Sequence, residues 1–140
     1  MNLQAFMVQN QRATETVKRI ISDRFKNEKG EIEAFELRGI TTKEEMKIRK
    51  SCMVEVTIKK GVKVKQLDQE AFMLKMATAC VVYPDLKSEE LQNYFGVRGE
   101  EDTLLELLSA PGEYQELLSA MQELNGYSKD MNQLKEEAKN

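Results

Sequence analysis

The sequence lacks several residue types on which enzyme and metal sites commonly depend. It contains no histidine and no tryptophan, and its two cysteines, Cys52 and Cys80, are widely separated. Without histidine, neither a Ser-His nor a Cys-His nucleophile can be built, and without a Cys-x-x-Cys pair the usual zinc ligands are missing. We therefore expect a non-enzymatic protein with no cofactor and no metal, whose cysteines are reduced and buried.

Phosphate-binding loops and long apolar runs are also missing. The seven glycines occur singly, and Gly96 and Gly99 enclose too short a loop to hold a nucleotide. No apolar run approaches the roughly 20 residues that cross a bilayer. The amino end has neither the basic leader nor the apolar segment of a signal peptide. These features predict a cytoplasmic protein that makes no contact with a membrane.

Charge is distributed unevenly, although the formal net charge is only −3. Residues 100–140 carry ten acidic and three basic side chains, a net of −7, which leaves 14 acidic and 18 basic, a net of +4, in residues 1–99. The acidic part repels phosphates and argues against a nucleic acid partner. The densest basic cluster lies at Lys59, Lys60, Lys63 and Lys65. We interpret it as the solvent-facing side of a hairpin, with an anion or nucleic acid contact as the alternative.

The residues that are present indicate a single α+β domain over residues 1–140, mainly helical. Residues 15–22 and 32–40 predict two strands, and the turn signal at residues 26–30 joins them into a hairpin. A second hairpin is predicted by the alternation of apolar and polar side chains over residues 54–65. The hairpin-containing amino-terminal half thus covers about residues 14–65, and the helical carboxy-terminal half covers about residues 68–138. We expect one or two small antiparallel hairpins to pack on a central helix.

Two helix starts are marked by capping residues. Thr41 with Glu44, or Thr42 with Glu45, predicts a capped helix to about Cys52, with Met46 on its buried side. Asp68 predicts the cap of a second helix, which reaches residue 83, where Pro84 ends it. That helix is apolar nearly all round and therefore belongs in the middle of the fold.

Smaller features complete this prediction. On the central helix, Lys75 and Thr78 are expected to form a narrow exposed edge. A helix after Ser88, a leucine-rich helix over residues 104–108 and an amphipathic helix over residues 114–124 follow. A last helix is predicted from Ser128 through Leu134.

Several short stretches, taken together and in order, resemble the XkdN-like family of phage tail assembly chaperones. The stretches are Arg24-Phe25-Lys26, residues 35–41 (FELRGIT), 48–52 (IRKSC), 81–86 (VVYPDL), 91–97 (LQNYFGV), 111–114 (PGEY) and 123–127 (ELNGY). They cover most of the chain from about residue 20 onward. The hairpin over residues 54–65 and the first dozen residues depart from the family pattern.

The resemblance implies a non-enzymatic role in virion morphogenesis, for a protein encoded by a phage or prophage and acting in the cytoplasm of a bacterial host. Members bind the long tape measure protein, keep it soluble and help tail tube subunits to assemble, so the tail tube protein is a second candidate partner. The family assigns no catalytic residues. Whether this chain forms a homo-oligomer stays open.

The partner-binding surface is predicted at the end of the chain. Exposed leucine and methionine side chains repack readily against varied partners, although a stripe at helical spacing most often belongs to the protein's own core. The predicted surface consists of Leu117, Met121, Leu124 and Tyr127, with Met131 and Leu134 beyond it. This hypothesis predicts that lysine at positions 117 and 121 abolishes tape measure binding and leaves the chain folded.

Two other functions remain as alternatives, ahead of an enzyme that would use carboxylates alone. One is a phage-encoded regulator that binds nucleic acid through the Lys59–Lys65 region, and the other is a structural subunit that stays in the tail.

In addition, Ala138-Lys139-Asn140 is compatible with a slippery codon run, so a longer frameshifted product is a further possibility that the nucleotide sequence would decide.

Overall fold

The computed structural model describes residues 3–7 and 16–127, which form five α-helices and two small antiparallel sheets. The helices are α1 (Thr42–Ser51), α2 (Gln69–Cys80), α3 (Glu89–Phe95), α4 (Glu100–Leu107) and α5 (Pro111–Leu124). The strands are β1 (Thr16–Arg19), β2 (Phe35–Arg38), β3 (Met53–Lys59), β4 (Val62–Leu67) and β5 (Val81–Tyr83), and Leu3–Phe6 forms a 3-10 helix. The predicted α+β class is confirmed. No helix in the described part of the chain is long and apolar enough to cross a membrane.

The first predicted hairpin is confirmed as part of a three-stranded sheet. Strand β2 lies between β1 and β5 and is antiparallel to both. Alternation along β2 buries Phe35 and Leu37, because successive side chains point to opposite faces of a sheet. These two side chains place one face of the sheet against the helices.

The second predicted hairpin is also confirmed, but it stands apart from the core. Within the part of the chain that the structure describes, strands β3 and β4 pair only with each other, and neither strand contains a buried residue. The turn between them contains Gly61 at φ 78°, a left-handed conformation that glycine adopts without steric cost. Val54 and Ile58 are 42% and 60% exposed. The second hairpin therefore projects from the molecule, and of the two predicted hairpins only the first packs against the helices.

Helix α2 occupies the centre, as predicted. It contacts α1, α4, α5 and β5 and buries Phe72, Met76 and Cys80. The expected exposed edge is wrong at Thr78, which is buried and donates a hydrogen bond to the Leu74 carbonyl at 2.7 Å. A threonine hydroxyl can be buried on a helix at little cost when it bonds the carbonyl four residues earlier.

The predicted end of this helix, at residue 83, lies three residues too far along the chain. Helix α2 ends at Cys80, and residues 81–83 form β5, which completes the sheet on β2. Val81, Val82 and Tyr83 are β-branched or aromatic, and β2 offers them an open edge for backbone pairing. Tertiary pairing therefore overrides the apolar pattern that had favoured a longer helix.

Helix α1 begins at the predicted capping box. The Thr41 hydroxyl accepts a hydrogen bond from the Glu44 amide, and the Glu44 carboxylate accepts one from the Thr41 amide, both at 3.1 Å. The helix nevertheless buries no residue, and Met46, which we expected inside, is 63% exposed. Ile48 of α1 packs against the core, whereas Met46 does not.

The remaining helices follow the capping signals of the sequence. Ser88 caps α3, which ends at Gly96 in a left-handed conformation, and α5 begins with Pro111. Leu104, Leu107, Leu117, Ala120 and Met121 are the main contributions of α4 and α5 to the core. The predicted helix from Ser128 through Leu134 lies outside the described residues.

Candidate protein-binding site

An open groove of about 330 Å3 lies where α1, α2 and the end of α5 meet. Its walls are mostly thioether and aromatic side chains, with one guanidinium at the edge. We call it the methionine groove, and it is lined by Arg49, Phe72, Met73, Met76, Met121, Gln122 and Tyr127. On α2, Met76 lies four residues after Phe72 and three residues after Met73. Residues at these spacings are neighbours on the surface of a helix, and all three side chains line the groove.

Three polar groups form the rim of the groove. The Tyr127 hydroxyl donates a hydrogen bond to Glu45 Oε2 at 2.7 Å, and Arg49 donates to Glu45 Oε1 at 2.9 Å. The Arg49 guanidinium also lies 4.4 Å from the centroid of the Phe72 ring, within the range of a cation–π contact. The Glu45 carboxylate on α1 thus links Tyr127 to Arg49, which in turn contacts the Phe72 ring.

These contacts change the acidity of the two partners in opposite directions. The hydrogen bond from Tyr127, followed by that from Arg49, lowers the pKa of Glu45, because both donors stabilise the carboxylate. The same hydrogen bond, followed by desolvation, raises the pKa of Tyr127. At neutral pH the rim therefore holds an ionised Glu45 and a neutral phenol, which is a stable hydrogen-bonded arrangement and not a proton-transfer pair.

The residues of the predicted partner surface are distributed over different environments. Met121 and Tyr127 line the methionine groove, and Tyr127 is 51% exposed. Leu124 is half-buried and lines a separate cavity of about 190 Å3 beside β1. Leu117 is fully buried in the core. Met131 and Leu134 lie outside the described residues.

The expectation that Leu117 and Met121 are accessible is therefore wrong in this conformation. Their side chains are 0% and 1% exposed, and a partner could reach them fully only if α5 left the core. Helical spacing identifies a common face but does not show whether that face meets the protein's own core or solvent. Partner binding through Leu124 and Tyr127 stays a prediction.

Sequence reasoning missed the α1 and α2 side of the groove. Phe72, Met73 and Met76 had all been assigned to the core, and Met73 is in fact only half-buried. The available signal was the excess of methionine on a single helix, which is typical of adaptable surfaces as well as of cores. The contribution of Glu45 and Arg49 could not be predicted, because Tyr127 lies 82 positions after Glu45.

The groove is suited to apolar side chains of a partner. Methionine has three rotatable bonds and a polarisable sulfur, so its side chain can adapt to differently shaped apolar groups. Among residues 3–7 and 16–127, no group of three or more His, Cys, Asp or Glu side chains is placed to hold a metal ion. The groove can therefore bind a partner by shape complementarity and by burial of apolar side chains, and the polar rim can fix the orientation of the partner.

Comparison with known proteins identifies the family. Residues 3–139 match the family described as phage XkdN-like tail assembly chaperone protein. The chain belongs to this family. The resemblance to this family, predicted from the ordered short stretches, is therefore confirmed over nearly the whole length. The family is one of phage tail assembly chaperones, which agrees with the predicted phage or prophage origin.

Two relatives from Bacillus subtilis (strain 168) are similar to the chain over almost their full lengths. The phage-like element PBSX protein XkdN is 32% identical over 99% of this chain and 94% of its own length. A protein named YqbN is 31% identical over 99% of this chain and 93% of its own length. The crystal structure of YqbN superposes with a TM-score of 0.75 at 28% identity, covering 90% of this chain and 97% of that one. The chain therefore shares its fold with YqbN.

Proposed function

We propose that this protein is a cytoplasmic, non-enzymatic chaperone that binds the tape measure protein of its phage and keeps it soluble while the tail tube assembles. The observation that carries the proposal is the family match over residues 3–139. The tail tube protein is a second candidate partner in the same process.

The methionine groove supports the proposal by its chemistry. A long tape measure protein is expected to expose apolar helical stripes that associate with one another if they are left uncovered. A groove of methionine and aromatic side chains can accept such stripes in more than one register, because thioethers repack readily. Tyr127 provides a rigid, half-exposed aromatic of the kind that dominates binding energy at protein interfaces.

Co-expression with the tape measure protein encoded by the same element tests the proposal. We expect the soluble fraction of the tape measure protein to rise when this chain is present, and the two proteins to purify together. Tyr127→Ala should weaken retention of the tape measure protein by about ten-fold or more, since an interface tyrosine can contribute over 1.4 kcal/mol. Tyr94→Ala is the matched control, because Tyr94 is 81% exposed on α3 and lies outside the groove.

The outcomes separate the candidate functions. A tape measure protein that is equally soluble without this chain, and that does not purify with it, overturns the proposal. Finding the chain in purified, finished tails would identify a structural subunit. Retention on DNA that depends steeply on salt would favour the nucleic acid-binding alternative.

A further inference from the structure

A second open groove lies along α1 and reaches the first residue of β3. It has a volume of about 460 Å3 and is lined by Met46, Lys47, Arg49, Lys50 and Met53. We call it the basic groove. Met46 and Met53 are 63% and 40% exposed, so two adaptable apolar side chains are available to a ligand. All the ionisable side chains of the groove are cations.

Two of these cations have no acidic partner in the described part of the chain. Lys47 and Lys50 are exposed and form no ion pair with any residue in 3–7 or 16–127. Arg49, in contrast, is bound to Glu45 at 2.9 Å and stacks on Phe72. The positive charge that the groove presents to a ligand therefore comes chiefly from the two lysines.

One face of the projecting hairpin begins at Met53 of the basic groove and carries two further lysines. Met53 is the first residue of β3, and the register of the hairpin places Thr57 opposite Lys63 and Glu55 opposite Lys65. Because side chains alternate between faces, Met53, Lys63 and Lys65 lie on the same face of the hairpin. This face also carries Glu55, directly opposite Lys65, so its charge comes from two lysines and one glutamate, and Met53 is the residue that it shares with the basic groove.

This surface fits an acidic protein segment better than it fits other occupants. A second copy of the chain would bring two sets of lysines together, and like charges at an interface are unfavourable. Nucleic acid would match the lysines, but residues 46–67 contain no aromatic side chain on which a base could stack. An amphipathic helix with carboxylates beside its apolar stripe would match both the lysines and the methionines.

We propose that the basic groove binds an acidic amphipathic helix of the tape measure protein, with apolar side chains on Met46 and Met53 and carboxylates paired with Lys47 and Lys50. This inference rests on the proposed function for the identity of the partner. The chemistry of the groove, however, can be tested without the tape measure protein.

The first test uses designed peptides of about 20 residues, long enough for a helix of some 30 Å. One peptide carries a leucine stripe at helical spacing flanked by glutamate, and a second carries the same stripe flanked by lysine. Fluorescence anisotropy measures their binding to the full chain. We expect the acidic peptide to bind at least about ten-fold more tightly than the basic one, and the preference to decrease with added salt. Equal binding of the two peptides overturns the proposal.

Variants locate the binding site. The double variant Lys47→Glu, Lys50→Glu is expected to lose acidic-peptide affinity by at least about ten-fold. The control Lys26→Glu, Lys29→Glu changes the net charge by the same amount at exposed positions outside the groove and should bind as the wild type does. The milder pair Lys47→Gln, Lys50→Gln serves if charge reversal disturbs the fold, which circular dichroism would reveal. Equal losses in the groove and control variants, or binding of a DNA oligonucleotide in place of the peptide, would contradict the proposal.

Retention of the tape measure protein distinguishes this inference from the proposed function. If the wild-type chain does not retain the tape measure protein, the proposed function fails. If the wild type retains it and the groove variants retain it equally, only the inference about the basic groove fails. Loss in Lys47→Glu, Lys50→Glu with full retention in Lys26→Glu, Lys29→Glu supports both.

Discussion

At the level of single residues, one ion pair connects the loop after β1 to the beginning of α5. Arg24 donates two hydrogen bonds to the Glu113 carboxylate, one of them at 2.9 Å, and a third to the Leu107 carbonyl. Glu113 is only 9% exposed, so its charge depends on this partner. The hydrogen bond from Arg24 is the main reason that the pKa of Glu113 falls from 4.5 to about 2.

We predict that Glu113→Gln removes a pH-dependent part of the stability. Because the folded-state pKa is depressed, the stabilisation by Glu113 is complete above about pH 4.5 and is lost as the pH falls toward 2. At pH 7 the variant should lose about 1.5 to 3 kcal/mol of unfolding free energy, the range for a hydrogen bond to a charged group. Chemical denaturation at pH 7 and pH 3 would measure both quantities.

The control for this prediction is Glu106→Gln, at an exposed glutamate that forms no ion pair with any residue the structure describes. It should leave the unfolding free energy within about 0.5 kcal/mol of the wild type. Some acid sensitivity will persist in Glu113→Gln, because Arg38 holds the pKa of Glu44 at about 2 as well. A Glu113→Gln variant as stable as Glu106→Gln at pH 7 would contradict the prediction.

Local residue roles could be predicted from the sequence, and distant pairs could not. Thr41, Asp68 and Ser88 act as the helix caps that their positions indicated, since a cap bonds amides only three residues ahead. Arg24 and Glu113 lie 89 positions apart, and nothing in the composition of either stretch identifies the other as its partner. Only the packing of the loop against α5 brings them together.

At the level of elements, α5 is the helix whose role changed most between sequence and structure. Its leucine and methionine stripe is predicted to be a partner surface, yet Leu117 and Met121 are buried in the core, where α5 packs against α2. The stripe was recognised correctly as a common face. Its direction could not be predicted, because α2 is apolar nearly all round and requires cover from several helices.

We predict that Leu117→Lys unfolds the protein instead of abolishing binding alone. The change removes a fully buried side chain and places a charge in the core, which costs more than about 3 kcal/mol. Thermal melting followed by circular dichroism would show a large loss of melting temperature or no folded state. Leu105→Lys is the control, because Leu105 on α4 is 43% exposed. A Leu117→Lys variant that melts like Leu105→Lys would show that the helix is not required in the core.

The strands illustrate which signals determine an element. The alternation over residues 54–65 predicts β3 and β4 correctly, because period-two patterning is a local property. Strand β5 is too short for such a pattern and follows directly on a buried helix, so its pairing with β2 is decided by position in the fold. Three β-branched or aromatic residues before Pro84 were the only local indication.

At the level of the whole molecule, one core joins the strand-rich and helical parts of the chain. Its buried residues run from Ile21 through Phe35 and Leu37 of the first sheet to Met121 of α5. A core that is shared in this way cannot lose one part without exposing the other. The sequence indicated the two parts, but the surfaces by which they meet depend on side chains far apart in the chain.

We predict a single cooperative unfolding transition for the chain. Far-UV circular dichroism, which follows the helices, and near-UV circular dichroism of the tyrosines should give the same midpoint in urea. Tyr83 lies in the first sheet and Tyr114 on α5, so the near-UV signal samples both parts. Two separate transitions, with helical signal surviving the loss of the tyrosine signal, would contradict a shared core.

The position of Arg49 determines how a ligand in the methionine groove and a ligand in the basic groove would affect each other. Its guanidinium borders both the methionine groove and the basic groove while it is bound to Glu45 and Phe72. A ligand carboxylate that drew Arg49 away from these partners would alter the wall of the other groove. Thermodynamic linkage makes such an effect reciprocal, so occupancy of either side would change affinity at the other by the same factor.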